Sequence, residues 1–154
     1  MSQAKRSTNG GGGRTLEQEA FLSILKTSDV LQTEIADLLK PAELSPTQYN
    51  VLRILRSAGA DGLPCGHISE RMLTHDPDMT RLLDRLEKRD LIERARDKTD
   101  RRIVRTHLTP AGRNLLAELD EPVMKLHQSQ LGHLNQRELN SLVELLGQAR
   151  RRTE

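Results

Sequence analysis

Residues 77–113, PDMTRLLDRLEKRDLIERARDKTDRRIVRTHLTPAGR, decide the fold of this chain. They read as a helix with arginines on one side, a strand, a highly charged turn, a second strand, and a new helix that begins at Thr109-Pro110. A basic helix beside a basic hairpin is the layout of a winged helix-turn-helix. In such proteins the helix reads the major groove, and the hairpin reaches the backbone or the minor groove. The segment therefore predicts DNA binding.

The helix of this segment is predicted over about 77–89, with Asp76 as its N-cap and Pro77 in its first position. Apolar residues at helical spacing form the face expected to be buried, namely Met79, Leu82, Leu83 and Leu86. The outward face then carries Asp78, Arg81, Arg85 and Lys88. The strands are predicted over 91–96 and 103–108, with a charged hairpin turn between them.

The charge of the chain is unevenly distributed, although its net charge is only +2 at pH 7. Residues 1–14 hold three basic residues and no acidic ones, and residues 15–80 hold five basic and ten acidic ones. Residues 81–105 hold ten basic and six acidic residues, a sum of +4, and residues 106–154 hold six of each. Positive charge is thus concentrated in the predicted helix and hairpin, where the phosphates of DNA would lie.

Helical periodicity and capping residues predict the elements on either side of this segment. Ser45 and Gln48 form a capping box at one helix start, and Asn135 and Glu138 form another. The predicted helices cover about 16–39, 46–57, 66–73, the stretch from 110 onward, and 136–152, with at most a token strand at Leu63-Pro64. The predicted fold class is therefore mainly α (α+β): a winged helix-turn-helix with long N- and C-terminal dimerisation helices.

The long terminal helices carry apolar stripes that lie outside the winged-helix core. In the last two helices the stripes comprise Leu115, Leu116, Leu119, Val123, Leu126, Leu139, Leu142, Val143 and Leu146. Aromatic residues make up only 1% of the chain, so its aliphatic core is thin. The simplest partners for these stripes are one another and a second subunit, so we expect a homodimer.

The domain organisation follows from the same elements. Residues 1–14 are polar and include a run of four glycines, so we expect a disordered tail there. Residues 15–154 are expected to form a single domain. Within it, about 45–109 would be the DNA-binding lobe, and about 16–39 and 110–152 would be the dimerisation helices.

The order of elements from about 16 to 150 resembles the MarR family of bacterial transcriptional regulators. The most specific part of the resemblance is TRLLDRLEKRDLIER at 80–94. The family places an acidic residue, any residue and Arg in the wing, which Asp100 and Arg102 match, and opens the next helix with Leu-Thr-x-x-Gly, which 108–112 match. The resemblance implies a sequence-specific regulator that binds a pseudo-palindromic operator in double-stranded DNA as a homodimer, with repression favoured over activation.

The resemblance also implies six DNA-contacting candidates: Thr80, Arg81, Arg85, Asp100, Arg101 and Arg102. In the family, Thr80 and Arg81 fall where the recognition helix contacts bases and phosphates. Arg102 matches the arginine that enters the minor groove, and Asp100 matches the acid that orients it, since a carboxylate can fix the direction of a guanidinium. Asp78 departs from the family pattern. It would either accept a hydrogen bond from a cytosine amino group or act as a first-turn acid that favours the helix dipole.

Regulators of this family often release DNA when a small anionic or phenolic compound binds between the dimerisation helices and the winged-helix core. The resemblance therefore implies such an effector as a partner of this chain. Tyr49 and His127 are its candidate contacts, because the helices that carry them would line the cleft. The alternative interpretation is that Tyr49 packs in the core and that His127 is a polar residue of the surface.

Cys65 suggests a different sensor, because it lies near the start of a predicted helix, where a thiol becomes more reactive. The family's peroxide sensors carry their reactive cysteine in the first helix, where this chain has none. Cys65 and His67 are close in sequence, but neither they nor the scattered histidines have a convincing metal spacing, so we expect no metal and no cofactor. A winged-helix module that binds protein in place of DNA is the remaining alternative.

Other functional classes find no support in the sequence. G-x-S-x-G, H-E-x-x-H and the dinucleotide-binding glycine pattern are absent, so we do not expect an enzyme. No segment approaches about 18 uninterrupted apolar residues, and the N-terminus lacks an apolar signal sequence, so we expect no membrane association. With one cysteine the chain forms no intrachain disulfide, and a reducing, cytoplasmic location is expected.

Overall fold

The computed structural model describes residues 13–151, and all but two residues of the predicted tail over 1–14 lie outside this part. Within it the chain forms six α-helices and one small sheet. The helices are α1 (Leu16–Leu39), α2 (Pro46–Ala58), α3 (Cys65–Arg71), α4 (Met79–Lys88), α5 (Pro110–Leu131) and α6 (Gln136–Arg150), and the strands are β1 (Leu63–Pro64), β2 (Ile92–Arg96) and β3 (Val104–Leu108). This order confirms the predicted mainly α winged helix-turn-helix.

The helix starts are set by side chains close in sequence. Ser45 Oγ accepts from the Gln48 backbone N–H at 3.1 Å, while Gln48 Oε1 accepts from the Ser45 N–H at 2.9 Å. Asn135 and Glu138 repeat this reciprocal arrangement at the start of α6. Each box satisfies backbone donors that have no partner inside the helix, so the predicted starts of α2 and α6 are confirmed.

The sheet is antiparallel, with strand order β1-β3-β2. Ile92 pairs with Leu108, and Leu63 pairs with Thr106, which is 1% exposed. The two-residue β1, expected to be at most a token strand, therefore covers the second edge of β3. The core lies between this sheet, α2, α3, α4 and the start of α5, and its fully buried members include Leu52, Leu55, Ile68, Leu83, Leu86, Ile92 and Leu116.

Helices α3 and α4 each have one end that differs from the prediction by two residues. Helix α4 begins at Met79, because Asp78 is the N-cap and accepts from the Arg81 N–H, whereas Asp76 accepts from the Asp78 N–H in the preceding turn. Pro77 therefore lies in that turn and not in the helix. Helix α3 ends at Arg71, two residues early, and the backbone N–H of Leu73 donates instead to Asn50 Oδ1 at 2.9 Å.

The terminal helices bury only part of their apolar stripes within one chain. Leu119 and Val123 are buried, and Leu142 is half-buried, but Val143, predicted to face inward, is 69% exposed. Further exposed apolar side chains on α1, α5 and α6 are Leu16, Phe21, Ile24, Leu25, Val30, Met124 and Leu145. None of the helices in the described part combines the length and the apolar run that crossing a bilayer requires.

Candidate DNA-binding surface

Helix α4 buries one face and presents the other to solvent. Its buried face consists of Met79, Leu82, Leu83 and Leu86, as predicted. Thr80, Arg81 and Arg85 are exposed on the opposite side, with the two arginines one helical turn apart. The helix thus displays two guanidinium groups and a hydroxyl to any molecule that approaches this face.

Contacts with neighbouring elements hold α4 in place. Arg94 of β2 donates from Nε to Glu87 Oε2 at 2.6 Å and also pairs with Asp84, and these bonds, that to Glu87 foremost, raise the pKa of Arg94. Arg89 donates to the backbone carbonyls of Glu43 and Ala42, in the connection between α1 and α2. Asp84 and Glu87 of α4 are therefore paired with one guanidinium of β2, while the outward arginines lie on the open face.

The turn between β2 and β3, which forms the wing, is organised around Asp97. Its carboxylate accepts from Thr99 Oγ1 at 2.5 Å, from the Asp100 N–H at 3.1 Å and from Arg105 Nε at 2.9 Å. The Thr99 hydroxyl, followed by the Asp100 N–H, lowers the pKa of Asp97 to about 2. Asp97 was not among the predicted site residues. A local signal could have identified Asp97 as a turn-forming residue, because it stands at the start of a turn and a Thr follows two residues later.

The tip of the wing carries the predicted acid–arginine pair. Asp100 Oδ1 accepts from the Arg102 backbone N–H at 3.1 Å and from Arg102 Nε at 3.2 Å. The Arg102 side chain remains 92% exposed. The carbonyl of Arg101 accepts from Arg96 at 2.7 Å, which fixes the backbone beside it. Arg102 therefore projects into solvent from an ordered turn.

Asp78 uses both carboxylate oxygens on Arg81. Oδ1 accepts from the Arg81 backbone N–H at 3.1 Å, and Oδ2 lies 3.5 Å from Arg81 Nε. Asp78 was predicted to be either a first-turn acid or a contact for cytosine; in the structure it precedes the first turn, as the N-cap of α4.

A cavity of about 640 Å³ lies between α1, α2, α5 and α6, beside the loop that leads to α4. Its wall includes both predicted ligand contacts, Tyr49 and His127, and also Arg53, whose guanidinium carbon lies 5.9 Å from the centre of the Tyr49 ring. Burial is the main cause that raises the pKa of Tyr49. The apolar part of the wall is formed by Ile24, Leu31, Ile35, Leu73, Leu131, Leu142 and Leu146. The cavity thus offers an apolar slot with one cationic side chain, which suits a flat anionic molecule.

The polar end of this cavity is ordered across two helices. Gln130 Nε2 donates to Glu34 Oε2 at 2.8 Å and to the carbonyl of Leu31 at 3.3 Å. The Gln130 amide oxygen lies 3.2 Å from His127 Nδ1. Because an amide oxygen only accepts, Nδ1 of His127 carries the proton in this arrangement. Tyr49 of α2 and His127 of α5, far apart in the sequence, both line this cavity.

The remaining sensor candidates stand apart from these surfaces. Cys65 is exposed at the start of the seven-residue α3, as a free thiol. Within residues 13–151, no three His, Cys, Asp or Glu side chains converge in a way that would hold a metal ion.

Comparisons with known proteins agree with this geometry. The model of the MarR family matches residues 44–104. The uncharacterised HTH-type transcriptional regulator YsmB of Bacillus subtilis is 30% identical over 97 residues, which cover 63% of this chain and 65% of YsmB, just under two thirds of its length. A MarR transcription factor from Planctomyces limnophilus is 41% identical, with 88% of this chain and 98% of that one aligned at a TM-score of 0.68.

Other solved structures are similar in fold alone, and BpsR is an example. BpsR of Bordetella bronchiseptica, whose DNA binding is regulated by 6-hydroxynicotinic acid, is 23% identical, with a TM-score of 0.81 over 92% of this chain and 100% of that one.

Proposed function

The chain belongs to the MarR family of DNA-binding transcription regulators, which are not enzymes, and from this premise we propose that it is a repressor that binds a pseudo-palindromic operator as a homodimer and is released by a small molecule. The observation that carries the proposal is the pairing of an arginine-bearing α4 with a wing whose tip holds Arg102 outward. The DNA-binding lobe would cover about 45–109, and the dimerisation helices would cover about 16–39 and 110–152.

Helix α4 would enter the major groove. Arg81 and Arg85 are exposed one turn apart, so one of them is able to reach a base edge while the other reaches a phosphate. Thr80 would add a hydroxyl contact. The wing would place Arg102 in the flanking minor groove, with Asp100 holding its direction and Arg101 beside it.

Dimerisation through α1, α5 and α6 would place two such lobes side by side. Support comes from the apolar side chains that one chain leaves exposed on these helices, among them Phe21, Met124 and Val143. Two-fold symmetry of the protein would require an operator of matching symmetry, with half-sites about one helical turn apart.

Release would follow from binding of an anionic or phenolic compound in the cavity between the dimerisation helices and the DNA-binding lobe. Arg53 would pair with the acidic group, and Tyr49 and His127 would contact the ring and its polar substituent. Such a ligand shifts the lobes only if it binds the DNA-incompetent arrangement more tightly than the DNA-bound one. That BpsR, a protein of the same fold, responds to 6-hydroxynicotinic acid supports this class of effector.

DNA binding is tested by selecting the preferred duplex from a random pool with the wild-type protein and measuring its affinity by fluorescence anisotropy. The selected sequence should be pseudo-palindromic, and affinity should fall steeply with salt because neutralised phosphates release counterions. Arg102→Ala should weaken binding most where the flanking minor groove is narrow. Lys40→Ala removes one positive charge from an exposed site outside both the DNA-binding lobe and the dimerisation helices and serves as the control. A selected site without symmetry, bound equally at all salt concentrations, would contradict the proposal.

Dimerisation and release have separate tests. Light scattering should give twice 17.4 kDa at micromolar concentration, and a stable monomer would contradict the dimer. A panel of aromatic carboxylates and phenols, with 6-hydroxynicotinic acid included, should release the wild-type protein from DNA. Arg53→Gln should weaken release by the carboxylates and spare DNA binding. If every active compound releases Arg53→Gln from DNA as effectively as it releases the wild type, the proposed ligand site is wrong.

A further inference from the structure

We propose that Asp78 is a positioning residue that aims the guanidinium of Arg81, so that Arg81 meets a guanine with its two terminal amino groups. The inference rests on the proposed function, because it takes Arg81 as a residue that contacts a base. Asp78 would then affect the choice of base through Arg81. A helix cap would not affect this choice, and a direct contact with cytosine would affect it without Arg81.

The first observation is that Asp78 contacts Arg81 through both carboxylate oxygens. One carboxylate oxygen accepts from the backbone N–H of Arg81 at 3.1 Å, and the other lies 3.5 Å from its Nε. A cap needs only one oxygen, so the second contact is additional to the helix start. Both side chains remain open to solvent, at 55% exposure for Asp78 and 69% for Arg81, so the pair lies where DNA would approach.

The second observation is that the wing holds a similar acid–arginine pair. Asp100 Oδ1 accepts from both the backbone N–H and Nε of Arg102, whereas the contact of Asp78 with Nε of Arg81 is an ion pair at 3.5 Å. In both pairs the carboxylate contacts the arginine at Nε, at 3.5 Å in α4 and at 3.2 Å in the wing. By contrast, Arg85 makes no ion pair with any residue in the described part of the chain.

The chemistry of guanine makes this useful. Guanine presents two acceptors, O6 and N7, to the major groove, and an arginine binds them with two N–H donors in one plane. A carboxylate that holds Nε restricts the long side chain to orientations in which the Nη pair faces outward. The same carboxylate repels phosphates, so Asp78 should weaken binding to all DNA while sharpening the choice of base.

The test uses Asp78→Asn, because Asn caps a helix as well as Asp does and so leaves α4 intact. The probe is the duplex that the wild-type protein selects from a random pool, together with copies in which each G·C pair is replaced in turn. Affinities are measured by fluorescence anisotropy at constant salt for the wild type, Asp78→Asn, Arg81→Ala and the double variant, with Arg85→Ala as the control. Thermal unfolding verifies that all five proteins are equally folded.

We expect Arg81→Ala to abolish the preference for one particular guanine. Asp78→Asn should reduce that same preference about two- to five-fold, the range of an exposed ion pair, and should tighten binding to every duplex. In the Arg81→Ala background, Asp78→Asn should change no base preference, because its effect passes through Arg81. Arg85→Ala should weaken binding to all duplexes evenly.

Three outcomes would overturn the inference. If Asp78→Asn keeps the full guanine preference, Asp78 is only a cap. If Asp78→Asn loses preference at another base pair, and still does so with Arg81→Ala, Asp78 contacts a base directly. If Arg81→Ala keeps every base preference, the role of Arg81 in the proposed function fails, and the inference fails with it.

Discussion

Gly112 is a position at which one added methyl group should destabilise this fold. It opens α5 as part of the Leu-Thr-x-x-Gly pattern, and it is buried. A Cβ at this position would lie 2.7 Å from Cδ1 of Leu108 and 3.2 Å from the carbonyl carbon of Leu91, and it would overlap the carbonyl oxygen of Leu91. That carbonyl oxygen already accepts from the Thr109 N–H at 3.2 Å. Gly112→Ala must therefore push α5 away from the turn between α4 and β2.

The size of the effect follows from three contributions. Overpacking against backbone costs about 1–3 kcal/mol. Loosening the hydrogen bond between Thr109 and Leu91 removes about 0.5–1.5 kcal/mol. Replacing Gly by Ala within a helix returns about 1 kcal/mol. The net destabilisation is about 2 kcal/mol, which lowers the melting temperature of a chain of this length by about 4–8 °C.

The assay is thermal and urea unfolding followed by circular dichroism, at one protein concentration because the expected dimer makes stability depend on it. Gly66→Ala is the matched control, since Gly66 is an exposed glycine in α3 with no atom within 4 Å of its added methyl group. It should stabilise the protein by up to about 1 kcal/mol. The argument from close approach is refuted if Gly112→Ala is as stable as the wild type while Gly66→Ala behaves as expected.

Three further predictions concern the wing and the thiol. The pKa of Asp97 is lowered to about 2, chiefly by the Thr99 hydroxyl, so the contribution of this carboxylate to stability should be complete above about pH 4 and should disappear as the pH falls through 2. The difference in unfolding free energy between the wild type and Asp97→Asn should therefore shrink between pH 5 and pH 2.5. A constant difference over this range would contradict the prediction. Asp100→Ala should reduce affinity for sites with a narrow flanking minor groove less than Arg102→Ala does, and mobility shifts that rank the two in the opposite order would disprove the orienting role. Cys65→Ser should bind and release DNA as the wild type does with and without peroxide, whereas release of the wild type alone would make the thiol the sensor.

Much of the fold was predictable because its signals are local. The capping boxes at Ser45 and Asn135 operate over three residues, so the sequence alone identifies where α2 and α6 begin. The start of α4 was not predictable in this way, because Asp76 and Asp78 both satisfy the local pattern. The loop before them is held by Asn50, 23 residues from its partner Leu73, which no local pattern reveals.

The candidate site likewise contains contacts that local sequence signals predict and contacts between distant residues that they do not. The Asp100–Arg102 pair spans two residues and was visible in the wing motif, whereas the bond from Arg105 to the carbonyl of Gly62 joins elements 43 residues apart. Val143 was predicted to face inward and is exposed within one chain, on a helix proposed to meet a second subunit. Periodicity shows which residues share an apolar stripe but not which neighbour covers each of them.

Sequence alone is enough to predict the order of elements, the arginine face of α4 and the acid–arginine pair of the wing, because each depends on hydrogen bonds or periodicity within a few residues. The tertiary structure was needed to show that Tyr49, Arg53 and His127 line one cavity, and that Gln130 of α5 binds Glu34 of α1 across 96 residues of chain. Such contacts depend on how whole helices pack against one another. That packing is determined by all of the surface that the helices bury, and not by these few residues alone.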